Sequence, residues 1–147
     1  MKIAIGSDHA GLEMKSEILL LLKEMQIEYK DFGTFSKVSC DYPDIAYSVS
    51  TYVANSDVNR GILVCGTGIG MSIAANKIHG IRAALCHDEF SAKMARAHNN
   101  SNVLTLGARV VGQGLANEII RVWLTTEYEG GRHDRRVEKI NHIEGEN

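Results

Sequence analysis

ILVCGTGIGMSIAANK, residues 62–77, runs from an apolar strand-like segment through a cysteine and three glycines into a helix-like tail. Gly66, Gly68 and Gly70 let the backbone curl tightly and turn several N–H groups toward one point, a nest suited to an anion. The loop is not a dinucleotide fingerprint: the third glycine of that motif would fall on Met71, and no acidic strand end follows at the usual distance. Nor does a Gly-Lys-Ser/Thr sequence close it as in a phosphate-binding P-loop. Cys65 at its head has two readings. It is either a small buried residue ending a strand or a thiol whose pKa is lowered by facing a helix N-terminus, fit to act as base or nucleophile.

Working outward, short β-rich runs (KIAI, EYKDFG, GILVCG, IRAALC, NVLTLG) alternate with helical stretches, and glycines gather where strands end. That alternation predicts an α/β chain with five parallel strands and about six helices covering both faces. Pro43 sits where a helix begins, and the tail from Gly130 reads as a glycine hinge and a final basic helix over about 131–143. The length of 147 residues fits a single domain, 1–147, without repeat or linker. Ligands of open parallel sheets bind outside the carboxyl ends of the strands. This edge should therefore gather Ser7 to Gly11, Gly33 to Asp44, Cys65 to Gly70 and Gly107 to Arg109.

The totals narrow the function classes. A net charge of -2 gives no general attraction to nucleic acid, so any anion affinity has to be local. The three cysteines are odd in number and far apart, which argues against a disulfide framework and for a reducing, cytoplasmic setting. No apolar run reaches the length of a membrane span. Asp8 and His9 after the first strand suit proton transfer or orientation of hydroxyls, although Asp8 also reads as a helix N-cap. Arg132 and Arg136, one helical turn apart, form a fork for a phosphate or a solvated basic face paired with Glu138. His98 ends a helix that runs back across the sheet. Within one chain it belongs at the edge opposite Cys65, and it can serve the same site only from a neighbouring chain.

Five motifs carry a resemblance: GSDHAG (6–11), CDYPD (40–44), CGTGIGMSIAANK (65–77), HNNSNVLTLGAR (98–109) and GRHDRR (131–136). In this order and spacing they are similar to the ribose-5-phosphate isomerase B family, which includes allose-6-phosphate and galactose-6-phosphate isomerases, from Met1 to about Ile143. The resemblance implies a doubly wound, Rossmann-like three-layer α/β/α fold. It also implies an obligate homodimer with active sites between subunits, further pairing into a tetramer being left open, and no cofactor or metal. Cys65 would move a proton between C1 and C2 of an open-chain sugar phosphate. The loop of Gly66, Thr67, Gly68, Ile69 and Gly70, with the Thr67 hydroxyl, would hold the enediolate oxygen. Other branches of the family place a glutamate at or near Ile69. His98 would open the sugar ring, Asp8 would relay protons between O1 and O2, and Tyr42 would line the sugar site. His9, Arg132 and Arg136 would grip the phosphate, helped by Asn99 and Arg109 from the partner chain. The implied reaction interconverts ribose 5-phosphate and ribulose 5-phosphate in the pentose phosphate pathway. A six-carbon sugar phosphate and a non-catalytic phosphosugar-binding module are the alternatives.

Overall fold

The computed structural model describes residues 1–58 and 60–145. Its strands are β1 (Lys2–Ser7), β2 (Glu28–Asp31), β3 (Arg60–Cys65), β4 (Ala83–Leu85) and β5 (Val103–Gly107). Its helices are α1 (Leu12–Glu24), α2 (Tyr42–Asn55), α3 (Ile69–Ala75), α4 (Glu89–Ala97), α5 (Gln113–Thr125) and α6 (Asp134–Gly145). The strands form one parallel sheet in the order β2-β1-β3-β5-β4. This is the doubly wound α/β architecture that the alternation of runs predicts.

Strand alternation sorts the core into two layers. Ile3, Ile5, Ile62, Val64, Leu104 and Leu106 face α1, α4 and α5, where Ile18, Leu22, Ile119 and Trp123 are fully buried or nearly so. Ala4, Leu63, Cys65 and Val103 face the opposite layer with Val49, Val53, Met71 and Ala75 of α2 and α3. Burying each large aliphatic side chain contributes roughly 1.5–3 kcal/mol, so continuous apolar runs such as ILV in β3 are stable only with helices on both faces. The sequence predicts the helix after the glycine loop over 71–78, whereas α3 starts at Ile69 and stops before Asn76. The stop has a local cause. Asn76 Oδ1 accepts from the Ala83 amide at 2.8 Å, and its Nδ2 donates to the Ala83 carbonyl at 2.9 Å, tying the helix end to β4.

From β1 the chain moves outward to β2, then returns to add β3 on the other side of β1. The carboxyl ends of β1 and β3 therefore flank the point where winding reverses, which is where open sheets form their crevice. Ser7 pairs with Val64 across it, and the Asp8 amide donates to the Val64 carbonyl at 3.1 Å. Asp8 and Cys65 are thereby brought to the same crevice.

Candidate active site

A cavity of about 430 Å³ opens at this switch point, lined by Asp8, Tyr42 and Arg109, by the loop from Cys65 through Thr67, and by Ile69, Gly70 and Ile73 on α3. Cys65 is buried, and its Sγ accepts the Gly68 amide N–H at 3.1 Å. Gly68 adopts φ +77, a conformation that leaves its N–H turned back on the sulfur and that glycine adopts without strain. The Ile69 amide donates to Thr67 Oγ1 at 3.3 Å, which leaves the hydroxyl proton for a ligand. Two amides of the expected anion nest, those of Gly68 and Ile69, are thus already committed inside the protein.

The two readings of Asp8 coexist. Its Oδ1 accepts from the amides of Ala10 and Gly11 at 2.9 and 3.1 Å, a cap on the short 3-10 helix His9–Gly11, while the residue also lines the cavity. His9 lies just beyond the cavity wall, its Nδ1 accepting the Cys40 amide N–H at 3.3 Å. The other ring nitrogen, Nε2, therefore carries the proton in the neutral form. Gly70 is required by Tyr42: a Cβ there would lie 2.5 Å from the phenol ring.

The loop after β2 is anchored by Lys15. This fully buried ammonium donates to both Asp31 carboxylate oxygens, at 2.7 and 2.9 Å, and to the Thr34 carbonyl at 2.8 Å. Gly33 and Thr34 in turn bond to the backbone of Ser7. The residue before Asp8 is fixed in this way.

Arg109 corrects an expectation. The resemblance implies that it arrives from the partner chain, but it lines the cavity of its own chain. A Cβ on Gly66 would meet its Nη1 at 3.3 Å. The placement follows from backbone bonds: the Ala108 and Arg109 amides donate to the carbonyls of Cys65 and Gly66 at 2.8 and 3.0 Å.

His98, Asn99, Arg132 and Arg136 form a separate group. His98 caps the C-terminus of α4 just before β5 begins, whereas Cys65 pairs with Gly107 at the far end of β5, about 13 Å of strand away. The His98 ring stacks on that of His133, with centroids 4.2 Å apart and planes 11° apart, and Arg132 Nε lies 3.4 Å from His133 Nε2. The arginine fork therefore stands with His98 and not, in one chain, with Cys65 and His9. Two arginines, Arg96 buried and Arg82 half-buried, hold the turn. Arg82 donates to the Asn99 and Asn100 carbonyls, and Arg96 Nη1 donates to Asn100 Oδ1 and the Ser101 carbonyl. Burial, with a smaller push from Arg60, brings Arg96 down to about 10, still a cation at neutral pH.

Sequence reading did not single out His133, Glu129, Arg82, Arg96 or Ile73. His133 lies inside the GRHDRR motif, but nothing in its neighbours along the chain indicates that its ring reaches His98. Cys86 behaves as a core residue: burial and then Asp88 push its thiol up to about 12. Among the described residues, His98, Glu129 and His133 are the one trio of metal-type ligands, their atoms within 4.8 Å of one another. No described helix is long and apolar enough to cross a membrane.

A thiol, a carboxylate and an arginine converge at the switch point, with no dinucleotide motif beside them. Residues 3–140 match the Ribose/Galactose Isomerase family. The chain is 52% identical over 143 residues to the ribose-5-phosphate isomerase B of Escherichia coli, covering 97% of this chain and 96% of that one. It is 46% identical to the D-erythrulose-4-phosphate isomerase of Pectobacterium atrosepticum, covering 98% and 95%. The solved ribose-5-phosphate isomerase B of Clostridium thermocellum superimposes with a TM-score of 0.98 at 51% identity over 99% of each chain. The chain belongs to the ribose-5-phosphate isomerase B family of sugar-phosphate isomerases.

Proposed function

We propose that this isomerase interconverts D-ribose 5-phosphate and D-ribulose 5-phosphate, a step of the pentose phosphate pathway, in the cytoplasm and as a homodimer of single-domain chains. The observation that carries the reading is the Cys65 sulfur, held by an amide N–H and opening beside Asp8 and Arg109. Cys65 as thiolate removes the proton on C2 of the open-chain aldose. The electron pair moves into the C1–C2 bond and O1 becomes the enediolate oxygen, facing the Thr67 hydroxyl and the loop amides still free. The thiol then returns the proton to C1 while Asp8 carries the O2 proton to O1, which leaves a ketone at C2. No proton is gained or lost, and no redox cofactor is called for.

His9 and Arg109 of one chain, with Asn99, Arg132 and Arg136 of a second copy, grip the phosphate, and the second copy's His98 opens the ring. Supporting this sharing are the opposite placements of Cys65 and His98 within one chain and the exposure of Ile69 and Ile73 at the cavity, 51% and 59%. Remote binding energy from the phosphate then orients C1 and C2.

A four-carbon substrate is the second reading, favoured by the name of the Pectobacterium relative. Initial rates on ribose 5-phosphate, erythrulose 4-phosphate and allose 6-phosphate decide. The largest kcat/KM is expected on ribose 5-phosphate, and a preference for either of the others would displace it.

A further inference from the structure

His133 is the most deeply buried imidazole near the His98 turn, and the reaction scheme gives it no task. The chain goes to some length to place it. The Glu129 amide donates to the Ala97 carbonyl at 3.0 Å, pinning the segment to the end of α4 one residue before His98. Gly130 and Gly131, at φ +63 and +57, then reverse the chain through a left-handed turn that side-chain-bearing residues resist. Tyr128 Oη donates to Asp134 Oδ1 at 2.8 Å and closes the turn. The outcome is the parallel stack of His133 on His98, with Glu129 Oε2 3.8 Å from His98 Nε2 and 3.6 Å from His133 Nε2.

We propose that His133 and Glu129 position His98 for opening the furanose ring. In that step the C1–O4 bond breaks, its electron pair stays on O4, O1 gives up its proton to imidazole, and O4 receives one from it. The imidazole must therefore present one nitrogen in a fixed plane to two oxygens in turn. The stack fixes the plane, and the Glu129 carboxylate faces the charge that forms while His98 holds both protons. Burial, followed by the positive charges of His98 and Arg132, disfavours protonation of His133, so a neutral ring is stacked on the working one. The trio does not suit a cation: parallel rings aim their lone pairs side by side, and Arg132 and Arg136 stand next to it.

The inference rests on the reading of His98 as the ring-opening group, and substrates that differ in ring form separate the two. Ribose 5-phosphate is mainly a furanose. Erythrose 4-phosphate has its O4 blocked by phosphate and stays open-chain. For His133→Leu and Glu129→Gln, kcat/KM on ribose 5-phosphate should fall about tenfold or more, with kcat/KM on erythrose 4-phosphate within about twofold of wild type. Equal losses on both sugars would point to folding or phosphate binding and overturn the proposal, as would no loss on either. His98→Ala is the reference. If it lacks the split between the two sugars, the reading of His98 is wrong; if it shows the split and the other two do not, only the positioning role fails.

Discussion

The Gly68 amide N–H points at Cys65 Sγ from 3.1 Å, so the glycine loop addresses the sulfur directly instead of only making room for it. Replacing Cys65 by alanine should lower kcat by about 10³-fold or more while leaving phosphosugar affinity by calorimetry within a few-fold. Turnover near wild type would remove Cys65 as the base.

Gly68 tolerates little else. An added Cβ would sit 2.5 Å from Leu85 Cδ1 and 2.8 Å from the Leu106 carbonyl carbon, on a backbone at φ +77. Gly68→Ala should cost about 2–5 kcal/mol in urea unfolding, combining left-handed strain with overpacking. A loss below about 1 kcal/mol would show that the loop relaxes freely.

Mixing Cys65→Ala and His98→Ala chains, each inactive on ribose 5-phosphate, tests the shared site. After verified subunit exchange, half of the dimers are mixed and each holds one intact site, so about a quarter of wild-type activity should return. No recovery would mean that both groups act within one chain.

Cys86, raised to about 12, is expected to stay unmodified by iodoacetamide at neutral pH, since only about one thiol in 10⁴ ionises even near pH 8. Peptide mapping should find Cys65 and Cys40 labelled first. Early labelling of Cys86 would contradict its burial.

His133 ties stability to pH. Its folded pKa lies below the ordinary 6.5, so the unfolded chain binds the proton more readily. Its contribution is complete above that value and is lost as pH falls through the lowered folded pKa. The drop in unfolding free energy between about pH 7.5 and 5 should shrink in His133→Gln, and an unchanged slope would refute the linkage.

The fold is legible in the sequence because ILVCG, KIAIG and VLTLG carry their own length, patterning and glycine stops. The crevice is legible too, since strand ends in a parallel sheet share an edge: Asp8, Tyr42, Cys65, Thr67 and Arg109 meet there. For Arg109 the strand-end edge gave the right chain where the resemblance implied the partner's, and the company of Arg132 was not legible. Both placements are held by backbone hydrogen bonds between segments distant along the chain, Arg109 to Gly66 and Glu129 to Ala97, and only the second pair has no counterpart in strand-end geometry. Nor could the stack of His98 on His133 be read, because two left-handed glycines set its geometry and composition says nothing of ring planes.

The single tryptophan has a practical use. Trp123 lies with the guanidinium carbons of Arg60 and Arg96 at 5.5 and 5.9 Å from its ring, and its Nε1 donates to Ser101 Oγ at 2.8 Å, three residues beyond His98. Its emission is an intrinsic optical gauge of that turn. Loosening of the histidine end of the molecule can be followed by fluorescence with no label attached and no substrate present.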